Sequence, residues 1–214
     1  MTIQHDSVWR VNVQSRNISV NTMPKSWRKL GGRALIARIL LDEGVAGCDP
    51  MGPDNKLIWS VGLLVGHKVS SCDRISLGGK SPLTNGIKES NAGGSTGLLL
   101  SHLGIRALIL EGQPLSDEWQ VLRIDNKGGV FESAEDIFGL GVYDASEKLM
   151  ERYGKKVGIT LIGPGGEMGM YSAGVQNLDK DGVASRICAR GGLGAVMGAK
   201  RIKAIVIGAA KITH

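Results

Sequence analysis

Hydrophobic residues change their spacing along this chain, and each change marks an element. "VWRVNV" at 8–13 alternates apolar and polar residues, and "NISVN" at 17–21 does the same after "QSR", which predicts a hairpin. Over 26–44, Leu35, Ile36, Ile39 and Leu40 share one helical stripe, and Gly44 stops it. "NKLIWSVGLLVG" (55–66) and "DRISLGG" (73–79) read as strands. A helix from "STGLLLSHLG" and the strand "IRALILEG" (105–112) follow. A second hairpin is expected from 119–126 and 128–133. The clearest helix spans 143–156, with Asp144 and Glu147 as a capping box and Gly154 as its stop. Strands at 157–163, 169–177 and 202–208 complete the pattern, the last preceded by a glycine-rich helix start.

Two of these segments repeat one another. "GGSTGLLLSHLGIRALIL" (93–110) and "GGLGAVMGAKRIKAIVI" (191–207) each carry a Gly-Gly pair and a third glycine (Gly97, Gly194). An isoleucine lies eight residues past that third glycine in both (Ile105, Ile202). A basic residue, an alanine and an apolar strand come next. The period of about 98 residues is too long for a solenoid and predicts two related halves folded into one body.

Glycine is the compositional outlier, at 32 of 214 residues against a usual ~7%. Twelve of them stand in six adjacent pairs, which suits tight turns or close backbone approach. The net charge of +6 is spread without a basic block, and aromatics are only 4%, so nucleic acid is not expected as a partner. Cys48, Cys72 and Cys188 form no C-x-x-C pair, which removes a zinc or iron–sulfur ligand set within the chain. Scattered cysteines, a polar N-terminus and apolar runs far below ~20 residues predict a cytoplasmic protein without a membrane span.

The stretch "GGKSPLTNGIKESNAGG" (78–94) concentrates glycine, lysine and asparagine. Both repeat units put glycines at a helix start, where free N–H groups and the helix dipole suit phosphate. Lys80 and Lys88 precede the first unit, and Arg186 and Arg190 the second. A close crossing of helix and sheet would need glycine equally, and the pattern alone leaves both uses open. Neither unit is a Walker A or a dinucleotide-binding fingerprint. His67, His102, Glu89 and Glu167 have no mate at catalytic spacing, so no catalytic residue is assigned.

Several motifs, in order along nearly the whole chain, resemble the N-terminal domain of the aldehyde ferredoxin oxidoreductase family. They are "GGRAL" (31–35), "DNKLI" (54–58), "SPLT" (81–84), "NAGG" (91–94), "IGPGGE" (162–167) and "RGGLGAVMGAKRIKAI" (190–205). The resemblance implies an α+β fold over residues 1–214, one domain of two related β/α halves. It implies an oxidoreductase acting on aldehyde or oxo groups, with tungstopterin or molybdopterin (a bis-pterin) as cofactor. Electron transfer would run through a four-iron cluster, and the ligands of that iron–sulfur centre would lie in further domains or a partner chain.

Matched by motif, Arg74 resembles the arginine between pterin and cluster. Asn91, Ala92, Gly93 and Gly94 resemble the first phosphate cradle, and Arg186, Ile187, Cys188, Arg190 and Gly191 the second. The backbone carbonyls of Asn91 and Ile187 would bind a magnesium ion bridging two phosphates, as a hard cation taking oxygen ligands. The sequence departs from the family at Leu63 and Val65, where proline and threonine are usual, at Cys72 and Asp73, and at Ile187 and Cys188, where small residues are usual. Two roles follow: a cofactor-binding domain or subunit of such an enzyme, or a stand-alone paralogue that holds or delivers the cofactor or pairs with a full-length subunit. A catalytic or iron–sulfur partner subunit, or a homodimer, is expected to cover an apolar, glycine-rich face around 62–74, 91–97 and 186–194. The isolated chain is expected to be inactive.

Overall fold

The computed structural model describes residues 6–208. Strands β1 (Ser7–Asn12) and β2 (Asn17–Thr22) form the expected hairpin. The helix expected over 26–44 is shorter: a 3-10 turn at Lys25–Trp27 precedes α1 (Gly32–Asp42). Between them a Cβ on Gly31 would lie 3.0 Å from the Leu63 nitrogen and the Val61 oxygen, so the chain must pass there without a side chain. Strand β3 (Leu57–Val61) is wholly buried but stops before Gly62, where the chain turns instead of running on to 66.

β4 (Ile75–Lys80) and β5 (Ile87–Ala92) flank a turn over 81–86, and α2 (Ser95–His102) leads into β6 (Ile105–Glu111). β7 (Gln120–Asp125) and β8 (Gly128–Ser133) form the second hairpin, followed by α3 (Val142–Tyr153). The capping box does not form. Gly141 is the N-cap, no side chain caps the helix, and Asp144 lies inside its first turn. β9 (Gly158–Leu161), the one-turn α4 (Pro164–Glu167), β10 (Val175–Asn177), β11 (Arg186–Cys188), α5 (Leu193–Ala199) and β12 (Ile202–Ile207) complete the fold. α4 and β11 are too short to show a period in sequence, and only the last three residues of 169–177 are strand.

The duplication extends to every strand. The first sheet runs β2-β1-β6-β3-β4-β5; the second, read the same way, runs β8-β7-β12-β9-β10-β11. One parallel pair sits in each, β1 with β6 and β7 with β12, and the other pairings are antiparallel. Both parallel pairs slip register at the same place, skipping Arg106 in β6 and Lys203 in β12. These are the repeat's shared basic residues. The Arg106 guanidinium donates to the Leu30 carbonyl at 3.0 Å, and the Lys203 ammonium to the Leu140 carbonyl at 3.0 Å. Each carbonyl lies two residues before its helix, α1 or α3, so the bulge turns a basic side chain out of the ladder to fasten that helix to its sheet.

α1 covers the outer face of the first sheet, its Leu35, Ile36, Ile39 and Leu40 packed on Val8, Ile58, Ala107 and Ile109. α3 covers the outer face of the second, with Ala145 and Leu149 on Val121, Ile159, Leu161 and Val206. α2 and α5 lie between the sheets, each touching strands of both. This middle layer is the largest core, where Trp9, Leu57, Trp59 and Leu77 meet Val175, Leu193, Val196 and Ile205. Each such side chain contributes about 1.5–3 kcal/mol by leaving water, which makes the middle layer the main bond between the halves. Trp59 of β3 also donates its indole N–H to the Thr160 hydroxyl of β9 at 3.3 Å, and these two strands are counterparts.

The sheets approach at both edges. Ile18 of β2 packs on Gly129 of β8, where a Cβ would lie 2.6 Å from the isoleucine Cδ1. Ile18 and Gly129 are themselves counterparts, opposite Val11 and Ile124 in their hairpins. At the far edge β5 packs against β11.

Candidate functional site

The glycines of the two repeat units divide into two uses. Gly97 of α2 sits on the Arg74 carbonyl and Gly194 of α5 on the Gly174 carbonyl, at 3.0 and 2.4 Å from an added Cβ. Arg74 and Gly174 are the residues just before β4 and β10, so the shared third glycine lets each helix cross the root of its strand. Gly192 and Gly198 would meet the carbonyls of Tyr171 and Gly166 at 2.1 and 2.0 Å. Gly94, at φ +117, lies against the Leu178 carbonyl, 2.1 Å from an added Cβ. Close packing therefore claims most of them. Gly93 is different: its nearest neighbour would be the Arg74 Nη1 at 3.7 Å, and its φ is ordinary. At Gly93 an added Cβ would make only ordinary contact with the Arg74 side chain, and the residue is half-buried.

The helix starts differ as well. In α2 the Ser95 N–H donates to the Leu178 carbonyl at 3.1 Å. In α5 the Gly194 N–H donates to the Ala173 carbonyl at 2.9 Å, and Leu193–Gly198 are buried. The exposed residues on the second side lie ahead of α5, at Arg186, Ile187, Ala189 and Arg190. Gly191 is buried against the Lys88 stem.

Arg74, Asn91 and Gly93 come together where β4, β5 and the start of α2 converge. The Arg74 Nε donates to the Asn91 Oδ1. The Asn91 Nδ2 donates to the Ser76 hydroxyl at 3.2 Å, and Ser76 donates to Glu89 at 2.6 Å. Arg186, Ile187 and Cys188 form β11 across the gap, and the Arg190 N–H donates to the Ser90 hydroxyl of β5 at 3.3 Å. The two groups of expected residues thus share one lip. Ladder register relates them: Asn91 lies opposite Ser76, and Ile187 opposite Gln176, at matching positions of the β4–β5 and β10–β11 pairs. By the same register Cys188 answers Ala92. Its thiol is buried, and burial pushes it up to about 12.

Other expected residues lie elsewhere. Lys80 is buried with its ammonium on the Ala46 carbonyl at 2.7 Å, away from the lip. Glu167 is paired with Lys203 inside the second half. Cys72 holds the 62–73 turn, its thiol on the Leu64 and Val69 carbonyls at 3.1 and 3.0 Å, which gives this departure from the family pattern a structural use. The expected apolar face is partly realised: Leu63, Leu64, Val69 and Ile187 are exposed. Ala92, Thr96, Gly97 and Gly191–Gly194 are buried instead, because α2 and α5 lie between the sheets. Among the described residues, no three His, Cys, Asp or Glu side chains gather as a metal site, and no helix is long and apolar enough to cross a membrane.

Glu89 has no mate at catalytic spacing in the sequence, and no motif there singles out Ser76. The strand register that brings Glu89 and Ser76 under Asn91 depends on the length of the 81–86 turn, which alternation does not reveal.

Residues 8–209 match the aldehyde ferredoxin oxidoreductase N-terminal domain. The tungsten-containing aldehyde ferredoxin oxidoreductase of Pyrococcus abyssi is 36% identical over 203 residues, covering 94% of this chain and 32% of that protein. A Pyrococcus furiosus aliphatic sulfonate oxidoreductase, WOR-like subunit, is 27% identical over 213 residues, covering 92% of this chain and 32% of its own length. Among solved structures, the active site complex BamBC of benzoyl coenzyme A reductase superimposes with a TM-score of 0.88 at 27% identity, covering 98% of this chain and 31% of that one. The chain spans about a third of the length of these relatives. With two duplicated α+β halves and a family match over nearly all its length, the chain belongs to the aldehyde ferredoxin oxidoreductase family, to which it contributes an N-terminal domain.

Proposed function

We propose that residues 1–214 form the bis-pterin cofactor-binding domain or subunit of a tungsten or molybdenum oxidoreductase acting on aldehyde or oxo groups. The observation that carries this reading is the lip where β5 meets β11. Asn91 and Ile187 stand there at matching positions of two duplicated strand pairs, beside the uncrowded Gly93. Two related phosphate-bearing groups would call for two related holders, and the matching positions of the duplicated strand pairs support that reading.

The residues fit the group. Asn91 and Gly93 would hold one phosphate and Arg186, Ile187 and Arg190 the other, with Ala92, Gly94, Cys188 and Gly191 packed behind them. The carbonyls of Asn91 and Ile187 would share a magnesium ion between them. A backbone ligand tolerates isoleucine where the family has a small residue, since the Ile187 side chain packs back on Gly174. Arg74, Arg186 and Arg190 are exposed cations around this lip and complement phosphate charge. The bound metal would supply two-electron oxo chemistry; this chain would orient the cofactor and neutralise its charge. An iron–sulfur cluster would come from a partner chain or a further domain.

The second reading is a non-catalytic paralogue that holds or delivers the cofactor. It is favoured by the relative described as a subunit. Under either reading a partner or a second copy covers Leu63, Leu64, Val69 and Ile187. Anoxic purification with tungsten, molybdenum, pterin and iron analysis, and identification of co-purifying chains, tests both. Pterin and metal in stoichiometric amount support both roles, and the partner's identity separates them. A preparation with no pterin under any anoxic condition contradicts both. The pure chain alone is expected to reduce no dye with aldehyde; turnover without a second polypeptide would contradict that.

A further inference from the structure

Four side chains beneath the lip form a chain of hydrogen bonds that runs one way. The Arg74 Nε–H donates to the Asn91 Oδ1, the Asn91 Nδ2–H to the Ser76 Oγ, and the Ser76 O–H to the Glu89 Oε1. Glu89 ends the chain because an ionised carboxylate only accepts. Arg33 at the start of α1 holds its other oxygen at 3.3 Å. With Ser76 committed to Glu89, its oxygen must accept from Asn91. The amide then has one orientation, with its oxygen toward Arg74. Reversing any link would set donor against donor.

The end of the chain matters most. The Arg74 Nε is occupied by Asn91, while its two terminal nitrogens have no hydrogen-bond partner among the described residues. Nη1 lies 3.7 Å from where a Gly93 Cβ would be. The free edge of the guanidinium is therefore held beside the uncrowded glycine of the lip. Gly32 contributes from above: a Cβ there would lie 3.3 Å from the Ser76 Oγ and press on the link. Its counterpart, Val142 of α3, has no such link to clear, and Arg74 is answered in the second half by Gly174.

We propose that Glu89 is a positioning residue: through Ser76 and Asn91 it sets the direction of this chain and fixes the Arg74 guanidinium as an anion-directed donor over Gly93. The inference deepens the cofactor reading by placing the fixed cation on one side of a pseudo-symmetric site, so the two phosphates would be held unequally.

The test uses the 214-residue chain labelled with 15N-arginine, following exchange of the Arg74 Nε–H and its heteronuclear NOE. Glu89→Ala and Ser76→Ala are each expected to speed exchange by about tenfold, the worth of one charge-assisted hydrogen bond, and to lower the NOE. Adding Asn91→Asp to Glu89→Ala is expected to restore slow exchange, because a carboxylate at 91 accepts from Arg74 whichever way it turns. A merely structural role would not give that rescue. Slow exchange persisting in both single variants overturns the relay whatever the pterin content. Wild-type pterin content in an assembled variant whose Arg74 has been released tells against the cofactor reading instead and leaves the relay standing.

Discussion

The two halves of the molecule share a frame and differ at the lip. Every strand of one has its partner in the other, even to the bulges at Arg106 and Lys203 and the carbonyls they hold. Yet β4 and β5 have six residues each where β10 and β11 have three. The first half keeps Gly93 uncrowded beside Arg74, while the second has Gly174 in place of Arg74 and Cys188 in place of Ala92. What stayed alike is what fastens helix to sheet. What diverged is the surface offered to a ligand, as expected when one half specialises and the frame must still fold.

The largest expected effect breaks the frame. Gly194→Val and Gly198→Val place atoms within 2.4 and 2.0 Å of backbone carbonyls, which flexible side chains cannot relieve. Each is expected to abolish folding, beyond the about 1–3 kcal/mol of ordinary overpacking. Gly93→Val, whose Cβ would meet only the flexible Arg74 side chain at 3.7 Å and whose φ is ordinary, should change denaturant stability by no more than about 0.5 kcal/mol. Comparable losses for Gly93 and Gly194 would erase the distinction between approach and packing.

Next come the two fasteners. Lys203 is fully buried and paired with Glu167, whereas Arg106 is paired with the half-exposed Asp6. Lys203→Met leaves the buried Glu167 side chain without its cation, with the Gly139 N–H as its remaining donor at 3.1 Å, and is expected to cost about 3–5 kcal/mol. Arg106→Met should cost about 1–3 kcal/mol, the loss of its hydrogen bonds. Adding Glu167→Met to Lys203→Met should recover most of the loss; if it does not, the pair is not what the second half relies on.

Smaller effects appear with pH when second-half residues are exchanged for their counterparts. Lys200 answers Leu103 and reaches into the first half, donating to the Gly112 carbonyl at 2.9 Å. Burial lowers it from its usual 10.5 to about 8. Between those values the unfolded chain binds more protons, so the wild type should gain stability over Lys200→Leu as pH rises from about 8 to 10.5, by up to about 1.4 kcal/mol per pH unit. Cys188 acts in the opposite sense. Its thiol is raised from 9.0 to about 12, so above pH 9 the unfolded chain loses the proton first. The wild type should then lose stability relative to Cys188→Ala by up to about 1.4 kcal/mol per unit. Urea unfolding across pH 7.5–10.5, a range of about three units, reads both differences.

Much of the frame was legible. Alternation gave both hairpins, and the repeat at 93–110 and 191–207 announced a duplication that reaches every strand. The helix at 26–44 was overlong because Leu30 and Gly31 look tolerable in a helix, and only contact with Val61 and Leu63 forbids it. β11 was missed because three residues carry no period. At the site, the resemblance named Asn91 and Ile187, but their equivalence needed the register of four strands. Composition could not tell Gly93 from Gly97, since neighbouring carbonyls decide which glycine is packed. Glu89 looked like a lone acid because its partners, Ser76 and Arg33, are distant in sequence.

The most direct measurement compares pterin content with folding in Gly93→Val, in the assembled protein purified without oxygen. Pterin and metal per chain would be determined beside the unfolding curve. The cofactor reading predicts a native unfolding midpoint and loss of most of the pterin, because the added side chain fills the approach beside Arg74. Wild-type pterin content in a folded Gly93→Val protein would contradict it and leave the uncrowded glycine without a ligand to serve.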